Sequence, residues 1–406
     1  MAKLGFVESA VEDVLQLRPF TFRRSIHQPA YRRRWRKHGP LGLAIAFFLL
    51  QESLSLEELR QLLDDESIAA LHLQEFLDPN PQGIRSKVDL YPCMGSYFFT
   101  DSAFELQPWP EQVYWLGGDS YTLAYCTPRR AYSRALDLCS GSGIHALLAG
   151  CPALGMDINP RAVDFGRLNA ALNGISQVEF AQGDCCAAEG LYDLVTLNPP
   201  FVPTPEGVSE LYRTGGGTGE GVTERVVRKL PGWLRPGGLF SMATEAPDGA
   251  LQRMRNWLGP GWGLAELRKF EFPIEDYIFS NVLSSGTPPH QQEAEYERWL
   301  DSYEAFGIQK MVSAQYFALR LEPGTQDWQC SRQIPHPSGP QGEQWLSWLE
   351  ALKTWNSPWP SDFVPQLRSP EMPCHPELGK PLGQIEDRNS LKSLGEQLVI
   401  THWNEK

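Results

Sequence analysis

Short apolar runs rich in β-branched residues alternate with helix-like stretches through the middle of the chain. The runs lie at residues 135–138, 153–157, 178–181, 191–197, 239–244, 264–272 and 315–321. Short apolar runs separated by helical patterns are typical of an open sheet covered by helices. The pattern therefore predicts an α/β domain with seven strands.

The residues before this domain have a different pattern. The stretch 41–77 contains short helical patterns, one of which opens with a capping box from Ser55 to Glu58. Two strand-like pieces follow at 84–90 and 96–100. Helices followed by a hairpin predict a winged-helix-like accessory domain, a module that binds either nucleic acid or protein.

The end of the chain changes character, with prolines and tryptophans spread among polar residues. Trp345, Trp348, Leu349 and Leu352 lie at helical spacing and predict one short amphipathic helix. We interpret this segment as an appendage that packs on the core or on a partner. The predicted regions are a basic N-terminal arm at 1–40, the winged-helix-like domain at 41–104, the α/β domain at 105–322 and the C-terminal appendage at 323–406.

The tetrapeptide Asn198-Pro199-Pro200-Phe201 directly follows the apolar run at 191–197. Strand ends form the ligand-binding edge of an open α/β sheet. The prolines hold the backbone extended and leave their carbonyls as acceptors, and Asn198 adds a side-chain carbonyl. Such acceptors can take the hydrogens of a planar NH2 group, while Phe201 offers a wall for stacking. An ordinary turn is the alternative, since Asn-Pro favours turns.

A glycine-rich turn follows the first apolar run and opens a helical pattern. Free backbone N–H groups of such a turn face a ligand at the same edge. Asp157 ends the second run, and Asp184 comes shortly after the third. The spacing of Gly141, Gly143 and Ala146 also fits the dinucleotide fingerprint of dehydrogenases. That alternative gives no reason for Asn-Pro-Pro-Phe after the fourth run.

Together these motifs resemble the class I S-adenosylmethionine-dependent methyltransferases of the small-domain type, which carry an Asn-Pro-Pro-Phe/Tyr motif. This group includes protein glutamine and asparagine amide methyltransferases and RNA base N-methyltransferases. The similarity covers roughly residues 112–321. It implies a Rossmann-like seven-stranded sheet with an antiparallel last strand and S-adenosyl-L-methionine as the cofactor. Cys139 stands where the family motif has its first glycine.

The resemblance also implies roles for single residues. Asn198 and Pro199 are the predicted catalytic residues, because they position the acceptor NH2 group. Pro200 and Phe201 are the predicted substrate-binding residues.

The predicted cofactor site consists of Asp137, Gly141, Gly143, Asp157, Ile158, Asp184 and Asn198. By resemblance, Asp137 holds the amino group of the cofactor and Asp157 its ribose hydroxyls. Ile158 packs on the adenine face, and Asp184 reads the adenine amino group. A turn or cap residue is the alternative for Asp184.

Charge and cysteine content narrow the choice of partners. The formal net charge is −13, but residues 1–40 carry nine Lys and Arg against three Asp and Glu. A negative chain is poorly suited to indiscriminate nucleic-acid binding.

The eight cysteines form no CxxC pair, so a reduced, cytoplasmic setting is expected. The longest apolar run, at 41–50, is too short to cross a bilayer. No metal-ligand cluster is recognisable, so no metal is expected.

The sequence thus predicts an N-methyltransferase that acts on a planar NH2 group. The first candidate acceptor is the amide of a Gln or Asn in a protein, the target type being a release factor, a ribosomal protein or a phycobiliprotein. The alternative is an adenine or guanine amine in rRNA or tRNA, because Phe at the fourth motif position is common among base methyltransferases. A non-enzymatic cofactor-binding protein is a third hypothesis.

Overall fold

The computed structural model describes residues 1–17, 27–103, 111–207, 213–284 and 287–354, without the side chains of 282–284 and 354. Its helices are α1 (Glu8–Leu15), α2 (Gln28–Trp35), α3 (Gly39–Leu49), α4 (Leu56–Leu59), α5 (Asp65–Leu73), α6 (Gly118–Cys126), α7 (Ile144–Leu148), α8 (Pro160–Leu172), α9 (Gly221–Trp233), α10 (Ala250–Leu258), α11 (Ile274–Ser284), α12 (Gln292–Ala305) and α13 (Gly342–Thr354). Its strands are β1 (Leu77–Asn80), β2 (Gly83–Ser86), β3 (Val88–Cys93), β4 (Ser96–Asp101), β5 (Ala135–Leu138), β6 (Ala153–Asp157), β7 (Val178–Gln182), β8 (Tyr192–Leu197), β9 (Leu234–Pro247), β10 (Trp262–Pro273), β11 (Lys310–Arg320) and β12 (Trp328–Gln333). Arg23, Arg24, Phe104, Tyr212 and residues 355–406 lie outside the described part.

The predicted strands pair in one large, mostly parallel sheet. Its order is β12-β10-β11-β9-β8-β5-β6-β7, and β11 runs antiparallel to both of its neighbours. The seven predicted strands are β5 to β11, so the expected α/β class and the antiparallel last strand are confirmed. The sheet has an eighth strand as well. β12 lies parallel beside β10 at the edge and comes from the segment predicted to be an appendage.

One aromatic ring holds the first half of the sheet against its helix. Phe180 of β7 packs where a Cβ atom at Gly143, Gly155 or Gly166 would lie within 2.7 Å of the ring. The three glycines belong to the turn after β5, to β6 and to α8. Only residues without side chains leave room for the ring at all three places, so the glycines are required by packing.

The N-terminal part contains the predicted helices, α3 to α5, and the Ser55–Glu58 capping box is present. The single predicted hairpin is wrong. The run at 84–90 is divided between β2, which pairs with β1, and β3, which pairs with β4. The division has a local cause, because the hydroxyl of Ser86 donates to the Val88 carbonyl at 2.5 Å and bends the chain between the two strands. The winged-helix-like assignment and the domain boundaries stay predictions.

Two asparagines bind the hairpin β3–β4 to the large sheet, Asn169 in α8 and Asn173 directly after this helix. The Asn169 amide accepts from the Phe99 N–H at 2.8 Å and donates to the Phe99 carbonyl at 2.9 Å. The Asn173 amide does the same with the Tyr97 backbone, at 2.9 and 2.7 Å. Four residues of a helix rise about 6 Å, close to two residues of a strand. The amides of Asn169 and Asn173 therefore make the hydrogen bonds to the hairpin that a neighbouring strand would otherwise make.

The C-terminal helix is confirmed at the predicted place. Trp345, Trp348, Leu349 and Leu352 of α13 are all buried. The helix contacts α6, and the backbone before it is fixed by a hydrogen bond from the Gln341 N–H to the Tyr125 carbonyl at 2.7 Å. This part of the predicted appendage is therefore packed on the core. In the described ranges, no helix has the length and apolar character that a membrane span requires.

Asp137 is an acidic residue in the middle of the sheet. Its carboxylate accepts from the Thr196 hydroxyl at 2.7 Å and from the Ala146 N–H at 3.1 Å, and the residue is 1% exposed. Burial raises the pKa of the Asp137 carboxyl to about 7. The folded protein therefore keeps a proton here over a pH range in which the unfolded chain has lost it.

We expect Asn169→Ala to lower the free energy of unfolding by about 3 kcal/mol or more, because the Phe99 N–H and carbonyl and the Ser142 carbonyl lose a buried partner. Asn173→Ala is the matched control, since it removes the same type of pairing at a less buried place, and it should lower stability by less. Urea denaturation measures both. Because Asn173 Nδ2 also donates to a second acceptor, the Asn169 carbonyl, equal losses would show that the deeper burial of the Asn169 amide adds nothing.

Asp137→Asn should change how stability depends on pH. In the wild type, the contribution of Asp137 to the free energy of unfolding is fully present below an unfolded-state pKa of about 3.9 and is lost as the pH rises through the folded-state value of about 7. The neutral variant should lack this fall, which we expect to be roughly 2–3 kcal/mol between about pH 5 and 8. Urea denaturation at the two pH values checks it. A parallel decline in both proteins would exclude Asp137 as the cause.

Candidate functional site

The glycine-rich turn lies at the carboxyl end of β5. Its backbone takes positive φ at Cys139 (54°), Gly141 (51°) and Gly143 (81°). Positive φ is easy for glycine and unfavourable for cysteine, which explains the glycine that the family motif has at the position of Cys139. A Cβ atom at Gly141 would meet nothing within 4 Å, so open space lies above the turn. A ligand can approach the backbone there.

Asp157 lies beside this turn at the end of β6. One carboxylate oxygen accepts from the Gly141 N–H at 2.8 Å, and the other accepts from the Asn159 N–H at 2.9 Å. Burial raises the pKa of the Asp157 carboxyl. The next residue, Ile158, is 54% exposed. The structure thus brings together a carboxylate, a tight turn and an uncovered apolar side chain.

Asp137 lies beneath the turn and is not open to the edge of the sheet. Both of its oxygens accept hydrogen bonds from Thr196 and Ala146. In the present geometry its direct effect is to hold the first residues of α7 against β8. The predicted contact with a cofactor amino group stays a prediction.

Asp184 is near the end of β7, as predicted, but it has a partner that the sequence did not indicate. Arg225 of α9 donates to both carboxylate oxygens, at 2.7 and 2.6 Å, and lowers the pKa of Asp184. Asp184, Cys185 and Cys186 place ligand-type atoms within 4.8 Å of one another. No such cluster was expected from the sequence. Because Arg225 already neutralises the carboxylate, the group resembles an ion pair beside two thiols more than a metal site.

Asn198 follows β8 and has its two amide atoms in different environments. Its Nδ2 donates to Asp119 Oδ2 at 3.0 Å and lies 3.5 Å from Ser120 Oγ. Its Oδ1 is buried, and no residue of the described chain gives it a hydrogen bond. A buried acceptor without a donor costs stability, and at a ligand-binding edge a bound group can supply the missing hydrogen bond.

The residues after Asn198 form one wall of the site. Pro199 and Pro200 continue the chain, and Phe201 packs on an apolar cluster that includes Ile274 and Tyr277. The described end of the next loop is fixed to this wall, because the Val202 N–H donates to the Arg213 carbonyl at 3.0 Å. The aromatic ring therefore has a fixed support.

Three polar residues near this wall were missed from the sequence. Asp119 begins α6, Glu245 lies near the end of β9, and Lys269 belongs to a β-bulge between Arg268 and Phe270. The bulge turns Lys269 inward, so that it is 6% exposed and its Nζ donates to Thr122 Oγ1 at 2.9 Å. Burial raises the pKa of Glu245 and lowers that of Lys269. The alternation of inward and outward residues that is read from the sequence assumes a regular strand, so it cannot show that a bulge turns Lys269 inward.

The site residues come from strands that are close neighbours. β8, β5 and β6 are adjacent in the sheet, and strands lie about 4.8 Å apart, so Asn198 and Asp157 are separated by roughly 10 Å. Gly141 and Gly143 lie between them, in the turn after β5. A ligand of nucleoside size spans this distance, with one end at Asp157 and the other near Asn198.

The comparisons with known proteins agree with this arrangement. Residues 119–271 match the model of the Methyltransferase small domain. The chain is 30% identical to the release factor glutamine methyltransferase of Chlorobaculum tepidum over 245 residues, which are 53% of this chain and 81% of the relative. It is 32% identical to the ribosomal protein uL3 glutamine methyltransferase of Bradyrhizobium diazoefficiens over 30% of this chain. It is 31% identical to the release factor glutamine methyltransferase of Thermodesulfovibrio yellowstonii, also over 30% of this chain.

The matches differ in extent. The chain covers 44% of the Bradyrhizobium protein and 50% of the Thermodesulfovibrio protein, so it spans about half the length of these two relatives. The match to the Chlorobaculum protein is longer than these two, and it includes most of the length of that relative. The small-domain match contains the glycine turn, Asp157 and the Asn-Pro-Pro-Phe segment. The chain therefore belongs to the methyltransferase small-domain family.

Proposed function

We propose that the protein transfers a methyl group from S-adenosyl-L-methionine to the side-chain amide of a glutamine or asparagine in another protein. The observation that carries this proposal is the buried Asn198 Oδ1, to which no residue of the described ranges donates, at the position before Pro199 at the ligand-binding edge of the sheet. The names of the relatives, which are glutamine methyltransferases, support the amide as acceptor.

The chemistry needs two hydrogen-bond acceptors at one place. The nitrogen lone pair of an amide is shared with its carbonyl, so the NH2 group is a poor nucleophile. Asn198 Oδ1 and the Pro199 carbonyl can accept one N–H each, which turns the nitrogen toward the electrophile and stabilises the positive charge that develops on it. Phe201 would hold the plane of the amide from one side. With its two N–H groups held by Asn198 Oδ1 and the Pro199 carbonyl, the nitrogen would take the methyl group that the cofactor supplies, which leaves the cofactor as the neutral thioether. The proton released from the nitrogen would pass to water.

The residues at the glycine turn fit the cofactor. The open space above Gly141 leaves room for its backbone to approach a ligand, and the Asp157 carboxylate suits a pair of ribose hydroxyls. The exposed Ile158 offers an apolar face to adenine. Asp184, whose carboxylate is also held by Arg225, would accept from the adenine amino group. When bound there, S-adenosyl-L-methionine supplies an electrophilic methyl group.

The alternative acceptor, an adenine or guanine amine in rRNA or tRNA, rests on Phe201 and on the basic arm. Three arginines of the arm lie in α2, and two of them serve the fold. Arg32 pairs with Glu52 at 2.6 Å, and Arg34 donates to the Leu15 carbonyl at the end of α1 at 2.5 Å. Since these groups are already used and the whole chain carries −13, a protein acceptor is favoured.

The acceptor can be found by labelling. Purified protein, cell lysate and cofactor with a tritiated methyl group should give a labelled product that protease releases and ribonuclease leaves intact. We expect acid hydrolysis of that product to yield labelled methylamine, which an N-methylated amide gives and a methylated base does not. Label released by ribonuclease alone would replace the proposal with the RNA alternative.

Asn198→Ala should separate catalysis from cofactor binding. Loss of one preorganised acceptor is expected to lower kcat about 100- to 1000-fold, with the dissociation constant of the cofactor unchanged. Rate assays on the labelled acceptor and titration calorimetry measure the two quantities. Turnover within a few-fold of wild type would exclude Asn198 from the proposed mechanism.

Asp157→Ala should instead weaken the binding of the cofactor. Loss of hydrogen bonds to a charged acceptor costs roughly 1.5–3 kcal/mol, so cofactor binding should weaken about 10- to 150-fold in titration calorimetry. Asp164→Ala is the matched control, because Asp164 is an exposed acid of α8 in a surface ion pair with Arg167. Equal affinities of Asp157→Ala and the control would remove Asp157 from the cofactor site.

A further inference from the structure

The contact between Asp119 and Asn198 determines which end of the Asn198 amide faces the site. The two ends of an asparagine amide have nearly the same shape but opposite hydrogen-bonding character. An ionised carboxylate can only accept hydrogen bonds. With Asp119 Oδ2 at 3.0 Å, the amide must present Nδ2 to Asp119, because a rotated amide would place Oδ1 against a carboxylate oxygen.

The rotated amide would also lose its function. Nδ2 would then lie where Oδ1 is now, and a donor cannot accept the hydrogen of an acceptor NH2 group. Ser120 Oγ, 3.5 Å from Nδ2, can donate or accept and therefore does not fix the orientation by itself. Among the described neighbours of the amide, Asp119 is therefore the residue that selects between the two orientations of the Asn198 amide.

Asp119 is itself held in place. Tyr114 OH lies 3.4 Å from its second oxygen. The helix that carries it is fixed to the sheet, because Lys269 Nζ donates to Thr122 Oγ1 and the Thr127 hydroxyl lies 2.8 Å from the Ser241 hydroxyl. An acidic side chain in the first turn of a helix is also favoured by the helix dipole. The carboxylate thus approaches Asn198 from a rigid element.

We propose that Asp119 is a positioning residue, which acts by keeping Asn198 Oδ1 directed at the acceptor nitrogen. This inference rests on the proposed role of Asn198. It predicts that a change of Asp119 affects the reaction rate only when Asn198 is present. Changing Asp119 should lower kcat and leave both the KM for the acceptor and the cofactor affinity near wild type.

The first test is a double-mutant cycle in kcat, run on the acceptor that the wild type labels, whether protein or RNA. Asp119→Asn keeps the shape but removes the discrimination, since its own amide can face Asn198 with either end. We expect kcat to fall about tenfold or more in the wild-type background and not to change in the Asn198→Ala background. Asp164→Asn is the control for loss of one acidic side chain. Losses that multiply in the double variant would overturn the proposal.

The second test exchanges the two residues. Asn198→Asp alone places two carboxylates together and should be nearly inactive. Combined with Asp119→Asn, the pair can bond again, now with the amide donating to the carboxylate, and an oxygen still faces the site. We expect the exchanged protein to be at least tenfold more active than Asn198→Asp alone. A purely structural role of Asp119 would give no such rescue, and its absence would contradict the inference.

A third measurement needs no acceptor and therefore separates this inference from the proposed function. Protein labelled with 15N at asparagine gives a side-chain NH2 signal for Asn198, which is assigned by its loss in Asn198→Ala. While Asp119 holds Nδ2, its protons should exchange slowly with solvent. In Asp119→Asn we expect exchange at least tenfold faster. Equal rates would show that Asp119 does not hold the amide, even if methyl transfer is confirmed.

Discussion

The fold depends on one buried amide, that of Asn169. Its nitrogen donates to the Phe99 carbonyl of the hairpin and to the Ser142 carbonyl in the glycine turn, both at 2.9 Å. Its oxygen accepts from the Phe99 N–H. The hairpin, α8 and the ligand-binding turn therefore meet at a single fully buried side chain. Phe180, in contact with the turn from the other side, leaves the turn little freedom to move.

This arrangement connects the N-terminal region to the site. Asp101, at the end of β4, forms a salt bridge with Arg161 at 2.5 Å and accepts from the Val113 N–H at 2.8 Å. Asp101 thereby links Val113, which lies shortly before α6, to Arg161 at the start of α8. Asp119 lies at the start of α6, a few residues after Val113, so the bond from Val113 to Asp101 also restrains the helix that faces Asn198. The C-terminal helix α13 supports α6 from outside.

The sequence was sufficient for the parts of the fold that repeat a simple pattern. The strands β5 to β8 and the helix α13 follow apolar patterns, and their positions were predicted closely. β12 was missed because Gln329, Ser331 and Gln333 are polar, and a polar edge strand has no apolar run. Lys269 was missed because a bulge changes the face that each residue occupies.

The site shows the same division between local and distant information. Asn198, Gly141 and Asp157 each lie in a short motif whose chemistry can be read directly. Their partners are far away in the chain: Arg225 for Asp184, and Asp119 for Asn198. A hydrogen bond between residues separated by dozens of positions leaves no mark on local periodicity. The sequence thus indicates which groups act, and the structure shows which groups direct them.

The pairing of Asn173 with Tyr97 has a consequence for the chemical ageing of the protein. Asn173 precedes Gly174, and an asparagine before glycine is prone to deamidation, because the small following residue lets its backbone nitrogen attack the side chain. Deamidation would replace the nitrogen that now donates to the Tyr97 carbonyl by a charged oxygen. While the hairpin is docked, the amide is held away from that attack. The rate of Asn173 deamidation in stored protein, measured as a mass increase of the peptide that contains it, should therefore report how often the hairpin separates from α8.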